Sequence, residues 1–495
     1  MPSDLPGAPQ RLHPISLLFS IGGAARRLLL PGIFLFLMRG RSNYEIWFMV
    51  LFVPAAIAAL VRYFTYRYRL NELEMVVREG ILTRNERHIP FSRIQNINLV
   101  RNPFHRIFGV AEVQVETASG GKPEAVIRVL SMQAVEELRE EIFKKKAVES
   151  PQEDEAEERV EPPPLVEVPL RELVLLGLVS NRGMAVVAAI FGLMWQFDFW
   201  DTDWESFGKN LPELNLPGPL FSFLVALAGL IVFVVVLRLF SIVWSIVRYY
   251  GFTLRRDGDD LRADYGLLTR YTSTIPIHRI QLVSIKSAPL QRLAGRCSLL
   301  VETAGGGGND DDEEQLTKQD LWLAPIFPIA EANRLRAAVV AEADFAEATW
   351  EPLPEKARTR IGRKMSLFAC LAAIIPVHFI GWWSLLLAGV LVAWGWLHAH
   401  FWWKRAGWCL GEDAVGYRSG WWTRRESVLR YSKVQSVAQV HNPFDRRHRM
   451  RRLVVDSAGA GQSGHRIRIP FLPEADAERL ESRLAFEAAH RQFRW

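Results

Sequence analysis

The sequence predicts an α-helical membrane protein with α+β soluble domains, in which three transmembrane helical hairpins are each followed by a soluble domain. Three observations predict this fold class. Apolar residues are concentrated in six stretches, although the 495 residues average an ordinary 49% hydrophobic and 23% charged. The six stretches come in three pairs. A similar soluble segment, here called a soluble unit, follows each pair, so the chain contains three copies of one module.

The composition excludes several classes of protein. It is that of neither a collagen-like nor a disordered chain. Only Cys297, Cys370 and Cys409 are present, which excludes a secreted disulfide framework and favours a reducing compartment for the soluble parts. The formal net charge of +6 weakly favours anionic partners, and membrane phospholipid is as good a candidate as nucleic acid.

The apolar stretches are close to the length of membrane-spanning helices, which need about 20 apolar residues. Some stretches are marginal, which favours hairpins that insert as units. Leu220–Val247 carries a single charge, Arg238, which is expected to snorkel and which disfavours the alternative of six buried helices in a soluble protein. Whether residues 15–38 form one full span stays open. The predicted pairs are Leu28–Met38 with Ile46–Phe64, Gly183–Phe199 with Leu220–Val247, and Met365–Ile380 with Trp382–His398.

Lysine and arginine residues predict the orientation in the membrane. They follow the second stretch of each pair, as at Arg62, Arg248 and Lys404, and they are scarcer in the loops within the pairs. These loops are therefore expected to face outward, whereas both termini and the soluble units are expected to face the cytoplasm. The sequence thus predicts a multi-pass protein of the bacterial cytoplasmic (inner) membrane.

The predicted division of the chain follows the modules, which are separated by acidic connectors that contain proline. Residues 1–64 form the N-terminal segment with the first hairpin, 65–147 the first soluble domain, 148–182 an acidic linker with a pre-span segment, 183–248 the second hairpin, 249–344 the second soluble domain, 345–364 a linker, 365–403 the third hairpin, and 404–495 the third soluble domain.

The repeat gives the strongest local predictions, because Gly80–Ser119, Gly266–Gly305 and Gly420–Gly459 align without a gap. The first glycine of each segment predicts a hairpin turn. In the second unit, a straight strand would bury the polar Arg279 and Gln281, so a turn or bulge is expected there, followed by a new strand.

Each unit is also predicted to contain two helices. A short helical turn is expected to start at Pro103, Pro289 and Pro443, where the first and third prolines follow an asparagine that can serve as the N-cap. Gly109 and Gly295 predict the ends of two of these turns. The closing helices are predicted at Ser131–Lys145, Pro328–Ala343 and Pro473–Phe493.

The second unit shows a specific resemblance. Its motifs are Gly-Leu-Leu-Thr-Arg, Ile-Pro-x-x-Arg-Ile-Gln, Pro-Leu-x-Arg-Leu-x-Gly and Val-Glu-Thr-Ala-Gly. They resemble the bacterial pleckstrin-homology-like (PH-like) domain, and the three modules together resemble the YdbT-like membrane protein family. The third unit departs at Arg430, Arg449 and Asp456, which replace a proline, a glycine and a glutamate. The resemblance implies that each soluble domain is a split β-barrel capped by a C-terminal helix, without catalytic residues.

The third unit is the most basic and supplies the candidate site. A solvated basic face and a surface that contacts anionic lipid headgroups or a partner both remain open. The arginines that recur in all units, Arg106, Arg292 and Arg446, are expected to be structural, for example by bonding loop carbonyls. The candidate residues for lipid or partner binding are Trp421, Trp422, Arg424, Arg425, Arg430, Lys433, Arg446, Arg447, Arg449, Arg451 and Arg452.

No catalytic, cofactor-binding or metal-binding residues are predicted. The motif Gly459-Ala-Gly-Gln-Ser-Gly464 aligns with hairpin glycines of the other units and is interpreted as a hairpin rather than a dinucleotide site. The function that the sequence predicts is a non-enzymatic scaffold that binds the bilayer, anionic headgroups, or other membrane proteins of the same type, and no nucleic acid. The alternative is a six-span transporter or a transporter component, which should bury polar residues at mid-span.

Overall fold

The computed structural model describes residues 10–11, 16, 53, 57, 60–61, 63–71, 74–80, 84–90, 94–117, 125–135, 163–180, 218–303, 321–345, 348–457 and 466–490. The first predicted hairpin lies largely outside these residues. The predicted stretch Gly183–Phe199 lies outside them entirely.

In the soluble parts of the second and third units the strands precede the closing helix, as the repeat predicts, whereas most of the closing helix predicted at 131–145 in the first unit lies outside the described residues. The first contains β1 (Gln10–Arg11), β2 (Arg67–Leu70), β3 (Glu74–Glu79), β4 (Asn85–Pro90), β5 (Ile94–Arg101), α1 (Pro103–Ile107), β6 (Val110–Thr117) and β7 (Ala125–Ser131). The second contains β8 (Pro164–Glu167), α2 (Leu170–Val179), α3 (Gly218–Tyr249), β9 (Thr253–Asp257), β10 (Asp260–Tyr265), β11 (Arg270–Pro276), β12 (Ile280–Ser287), α4 (Pro289–Leu293), β13 (Arg296–Thr303), β14 (Leu321–Pro328) and α5 (Ala332–Val339). The third contains β15 (Glu351–Pro352), α6 (Glu355–Ile380), α7 (Trp383–Arg405), β16 (Gly407–Leu410), β17 (Ala414–Ser419), β18 (Arg424–Arg430), β19 (Val434–Val440), α8 (Pro443–Arg447), β20 (Met450–Ser457), β21 (Ile467–Pro473) and α9 (Glu474–His490).

The strands form antiparallel sheets that are shared between consecutive units. One seven-stranded sheet has the order β7-β6-β5-β11-β10-β9-β8, and the other has the order β14-β13-β12-β18-β17-β16-β15. In each, three strands come from the second half of one unit and four from the first half of the next. The remaining strands form a four-stranded sheet, β1-β2-β3-β4, and a three-stranded sheet, β19-β20-β21.

The described residues form open sheets, so they do not confirm the split barrel that the resemblance implies. In the second unit, a 3-10 turn at Ile277–Arg279 separates β11 from β12. Before this turn, β11 pairs with β5 of the preceding unit, and after it, β12 pairs with β18 of the following unit. The backbone groups that would close a barrel within the unit are thus bonded to its neighbours.

The turn itself is the one predicted from the buried polar residues. β12 starts at Ile280, and its register with β13 shifts between Ile280 and Leu282. Arg279 and Gln281 are both buried beside this turn. The bend lets the chain change sheets without placing these polar side chains on an apolar strand face.

The core is also continuous across the boundary between the second and third units. Phe252, Leu254 and Leu261 are fully buried in the second unit. The same apolar cluster includes Cys409 and Val428 of the third unit. Burial of each large apolar side chain contributes about 1.5–3 kcal/mol, so the junction is stabilised by packing as well as by strand pairing.

Among the described residues, two helices are long and apolar enough to cross a membrane, namely Phe223–Tyr249 within α3 and Trp383–Arg405, which is α7. Helix α6 packs antiparallel to α7, and Gly381, at φ 55°, joins them in a helical hairpin. The packing is close, since a Cβ at Gly362 would lie 2.8 Å from the ring of Trp396.

Arg238 does not snorkel away from α3 as expected. Its Nη1 donates hydrogen bonds of 3.0 Å to the carbonyl oxygens of Leu178 and Ser180. These carbonyls lie at the C-terminal end of α2, where backbone acceptors lack helical partners. Arg238 therefore joins α2 to α3, and close packing at Gly177 supports the same contact, because a Cβ there would lie 2.3 Å from the Ile242 Cα.

Candidate membrane-facing site

The hairpin turn that opens the repeat lies at the end of an apolar helix. The backbone N–H of Leu267 donates to the Val247 carbonyl of α3 at 3.0 Å, and that of Gly266 donates to the Tyr250 carbonyl at 2.8 Å. Gly266 has φ 109°, and a Cβ there would lie 2.0 Å from the Thr269 carbonyl oxygen. Glycine is thus required at this turn, as predicted, and the turn is fixed beside the end of α3.

The equivalent turn of the third unit lies against α7. The Nε1 of Trp421 donates to Nδ1 of His398 at 2.6 Å. The Trp421 ring also stacks on Phe401, with ring centroids 5.3 Å apart. Trp421 is therefore held by the helix, whereas the neighbouring Trp422 is exposed.

Two of the recurring arginines link each short helix to the turn of the following unit. Nη1 of Arg106 donates to the Leu267 carbonyl at 3.4 Å, and Nη1 of Arg292 donates to the Trp422 carbonyl at 2.7 Å. They bond loop carbonyls, as expected, but the carbonyls belong to the next unit. Within the described part of the chain no unit follows Arg446, and its side chain is exposed.

The short helices expose apolar side chains at equivalent positions. Leu293 is 85% exposed, Ile107 is 73% exposed and Phe444 is 72% exposed. Phe104 and Leu290, which are equivalent to Phe444 in the repeat, are exposed as well. Single exposed apolar residues are ordinary, but the first two units each expose a pair on a tip that is bonded to a turn at the end of an apolar helix, and this indicates a surface. In the third unit the second position of the pair is Arg447. We call the exposed apolar residues the apolar tips.

The tips are rigid because the short helices are capped. Oδ1 of Asn102 accepts a hydrogen bond of 2.7 Å from the His105 N–H, and Oδ1 of Asn442 accepts one of 2.7 Å from the Asp445 N–H. Both N-caps are those predicted from the Asn-Pro pairs. In the second unit the cap is Ala288, whose N–H donates to Oε1 of Gln291 at 2.9 Å.

Four of the predicted binding residues lie in the junction between the second and third units. Arg425 contacts Glu302 at 3.2 Å, and Arg430 contacts Glu342 at 2.6 Å. Arg424 lies opposite Ser287 in the pairing of β12 with β18. Lys433 is buried, and this burial lowers its pKa to about 8. The junction thus surrounds side chains that the sequence predicted to face a ligand.

The second predicted cluster is more accessible. Arg446, Arg447 and Arg449 are exposed, and Arg452 is half-buried. Arg451 differs, because it forms ion pairs with Glu474 and Glu478 of α9. Three arginines therefore surround the apolar tip of the third unit at Phe444, where they can contact a negatively charged surface.

Sequence reasoning missed two ion pairs, one between the second and third units and one within the second unit. Arg336 of α5 is fully buried and contacts Glu426 of β18 at 2.5 Å. Arg296 of β13 contacts Glu172 of α2 through two hydrogen bonds of 2.7 and 2.8 Å. The sequence signal for the Arg336 pair was an arginine on the apolar face of a closing helix, which does not identify the acidic residue that pairs with it.

The buried cysteines have no reactive character. Burial raises the pKa of Cys297 and of Cys409 to about 12 in each case. Both are therefore thiols at neutral pH rather than the thiolates that act as nucleophiles. Among the described residues, no group of three or more His, Cys, Asp or Glu side chains could hold a metal ion.

The strand order, the closing helices and the apolar helices define the class of protein. The family model "Bacterial PH domain" matches residues 16–146, 216–343 and 366–488, which together are well over half of the chain. The chain belongs to this family, with three repeats.

A relative extends the resemblance to the whole chain. The protein is 25% identical over 475 residues to the "UPF0699 transmembrane protein YdbT" of Bacillus subtilis (strain 168). The match covers 89% of this chain and 91% of the relative. No solved structure matches the chain significantly. The chain is accordingly a membrane-associated protein with bacterial PH domains.

Proposed function

We propose that this protein is a non-enzymatic scaffold of the bacterial inner membrane whose three PH domains are held against the cytoplasmic leaflet and contact anionic lipid headgroups. Three transmembrane hairpins anchor it. The observation that carries the proposal is the recurrence of apolar tips that are bonded, through Arg106 and Arg292, to turns at the ends of the apolar helices.

The apolar tips fit the interfacial layer of a bilayer. Arg292 of α4 donates hydrogen bonds to the Ser287 carbonyl of the preceding strand β12 and to the Trp422 carbonyl in the turn of the third unit. The tip at Leu293 is therefore fixed beside that turn. That turn contacts α7 through Trp421. A side chain as exposed as Leu293 gains free energy when its apolar surface leaves water, at about 25 cal/mol per Å². Trp422, on the same turn, is suited to the headgroup layer.

The exposed arginines near Phe444 add an electrostatic contribution. Each Lys or Arg near an anionic membrane surface contributes about 1 kcal/mol, and the attraction falls off within a Debye length. Arg446, Arg447 and Arg449 would all contribute if the tip at Phe444 touches the leaflet. Arg424, Arg425, Arg430 and Lys433 are instead assigned to the stability of the junction.

The test measures lipid contact at the tip in the full chain, reconstituted in nanodiscs with a Cys370→Ser background. A fluorophore sensitive to its environment is attached at Leu293→Cys, and at Asp259→Cys in the exposed β9–β10 hairpin as the matched control. We expect a quencher carried by the lipids to reduce emission at Leu293→Cys several-fold more than at Asp259→Cys. Equal quenching at the two positions would contradict the proposal.

The anionic part of the proposal is tested with charge reversal. A label at Phe444→Cys is compared in anionic and neutral nanodiscs at low and high salt. We expect Arg446→Glu with Arg447→Glu to remove the preference for anionic lipid, because the attraction becomes repulsion. The control variant reverses two exposed arginines of closing helices, Arg334→Glu and Arg479→Glu. An equal effect of both variants would show that only net charge matters.

A further inference from the structure

The two junctions between units use the same strand pairing in the same register. In the first junction, Arg270, Tyr271 and Thr272 of β11 lie opposite Arg101, Val100 and Leu99 of β5. In the second, the residues at the equivalent repeat positions are paired, with Arg424, Arg425 and Glu426 of β18 opposite Ser287, Lys286 and Ile285 of β12. The junction is therefore a repeated interface with two complementary edges.

Each chain keeps one unused copy of both edges. Strand β4 occupies the position of β11 and β18 in the repeat, and it ends the sheet β1-β2-β3-β4. Strand β19 occupies the position of β5 and β12, and it ends the sheet β19-β20-β21. Among the described strands, neither edge is paired. Within the described residues, β4 and β19 therefore each present one half of a junction.

Side chains on the paired strand β12 are more buried than the equivalent side chains on the unpaired strand β19. In β12, Leu282, Val283 and Ser284 are buried beneath the junction. In β19, the equivalent Ser436 and Ala438 are exposed, and Val437 is only half-buried. In β4, the first four residues, Asn85 to His88, are all exposed.

These two edges also lack the prolines that protect other edges of the sheets. Proline interrupts pairing because it has no backbone N–H, and natural proteins place it on edge strands. Of the other outer strands, β8, β14, β15 and β21 contain proline, whereas β1 and β7 contain none. Strand β19 contains none, and β4 has one only at its last residue. Both edges can therefore accept an antiparallel strand along their length.

We propose that the protein associates head to tail, with β19 of one molecule paired to β4 of a second copy. The internal junctions fix the register, which places Val440 opposite Asn85, Gln439 opposite Glu86, Ala438 opposite Arg87 and Val437 opposite His88. A second copy is the partner that fits, because it carries the edge that each junction already uses. The interface is heterologous, so it extends into a row or closes into a ring in the plane of the membrane. This inference does not rest on lipid binding.

Disulfide crosslinking tests the proposed register in native membranes with the full chain and a Cys370→Ser background. Ala438→Cys and Arg87→Cys are placed on the same chain, so a crosslink between molecules yields a ladder of oligomers. We expect dimers and larger species after mild oxidation, since directly opposed residues lie within the reach of a disulfide. The internal control is Ser284→Cys with Ser427→Cys, the same repeat positions within one chain, where the two Oγ atoms are 3.0 Å apart.

A matched variant shifts one cysteine to the neighbouring strand. Arg78→Cys on β3, which lies opposite Glu86, replaces Arg87→Cys. This moves the cysteine one strand, about 4.8 Å, further from β19 and to the other face of the sheet, beyond disulfide distance. We expect at least a fivefold lower yield of dimer. Three results would overturn the proposal: no dimer while the internal control closes, a crosslink that leaves the monomer mass unchanged, or equal yields from Arg78→Cys and Arg87→Cys.

A charge exchange provides a second measurement that needs no cysteine. Ala438→Arg would face Arg87 across the interface, and like charges directly opposite each other weaken strand pairing. We expect a drop of about twofold to fivefold in the association constant, measured by single-molecule co-localisation in supported bilayers. The double variant Ala438→Arg with Arg87→Glu should restore association. Unchanged association in Ala438→Arg, or no recovery in the double variant, would contradict this pairing.

Discussion

Arg449 shows how a single residue departs from its repeat. It has φ 52°, and the equivalent residues Gly109 and Gly295 have φ 64° and 65°. The backbone conformation is therefore kept, although a side chain now occupies it. No atom lies within 4 Å of a Cβ built at Gly109 or Gly295, so the cost at Arg449 comes from the backbone rather than from a clash. The sequence had predicted only that a helix-stop glycine was missing.

Replacing Arg449 with glycine should stabilise the protein. A left-handed conformation costs an ordinary residue about 1–2 kcal/mol, and the greater freedom of glycine in the unfolded chain offsets part of the gain. We expect Arg449→Gly to increase the free energy of unfolding by about 0.5–1 kcal/mol, measured as a higher thermal midpoint in detergent. Arg447→Gly, at the end of α8, is the control and should not stabilise. A lower midpoint for Arg449→Gly would show that its side chain makes a stabilising contact.

Lys433 predicts a specific pH dependence. Burial lowers its pKa from the ordinary 10.5 to about 8, with Arg430 and Arg279 adding to the shift and Glu342 opposing it. Between pH 8 and 10.5 the unfolded chain binds a proton that the folded chain has released. Stability should therefore rise with pH across this window and be lowest below pH 8. Thermal unfolding of wild type against Lys433→Met should show this rise in the wild type alone, and parallel pH curves would contradict it.

At the scale of elements, one ion pair joins α5 to β18 and another joins α2 to β13. Arg336 lies fully buried between α5 and β18, where it also sits 5.7 Å from the ring of Phe345. Its Nη1 contacts Glu426. A buried cation depends on this carboxylate, since the desolvation of an unpaired charge is costly. This buried ion pair therefore adds to the apolar packing and strand pairing that stabilise the junction.

Removing the carboxylate should destabilise the junction strongly. Glu426→Gln leaves Arg336 buried without an anionic partner, and breaking such a pair costs about 3–5 kcal/mol. We expect a clear loss of thermal stability. The double variant Arg336→Met with Glu426→Gln should recover much of it, because no buried charge then remains. Equal stability of Glu426→Gln and wild type would show that water reaches the guanidinium.

At the scale of the whole molecule, consecutive units share β-sheets and are not separate domains connected only by linkers. The predicted domain boundaries at 344 and 404 separate sequence segments, but β12 and β18 pair across them. The same apolar cluster also contains residues of both units. A unit removed from the chain would lose the strand that covers one edge.

An excised third unit should therefore fail to fold. A fragment of residues 404–495 keeps β18 but lacks β12 and Arg336, so an edge that is buried in the intact chain becomes exposed. We expect poor chemical-shift dispersion and no cooperative unfolding for this fragment, and a folded product when residues 249–495 are retained. A cooperative transition of the short fragment near that of the full chain would show that the junction is dispensable.

The local structure of this protein could be predicted from its sequence because it depends on neighbouring residues. Gly266 sets a turn, Asn102 and Asn442 cap short helices, and the polar Arg279 and Gln281 force a bend between strands. The gapless repeat extended these local rules to three units. The apolar stretch within α3 was recognisable from composition alone.

Which strands pair, and which basic side chains stay exposed, was decided only by the tertiary structure. Backbone N–H and C=O groups are the same on every strand. By themselves they therefore do not direct β12 to pair with β18 rather than with a strand of its own unit. The fate of the basic residues follows from that choice, since pairing across units buries Lys433 and engages Arg425, while Arg446 remains exposed. A charge pattern identified the basic unit, but the solvation of these charges depends on distant residues, such as Glu342, 88 positions from Arg430, and Glu302, 123 positions from Arg425.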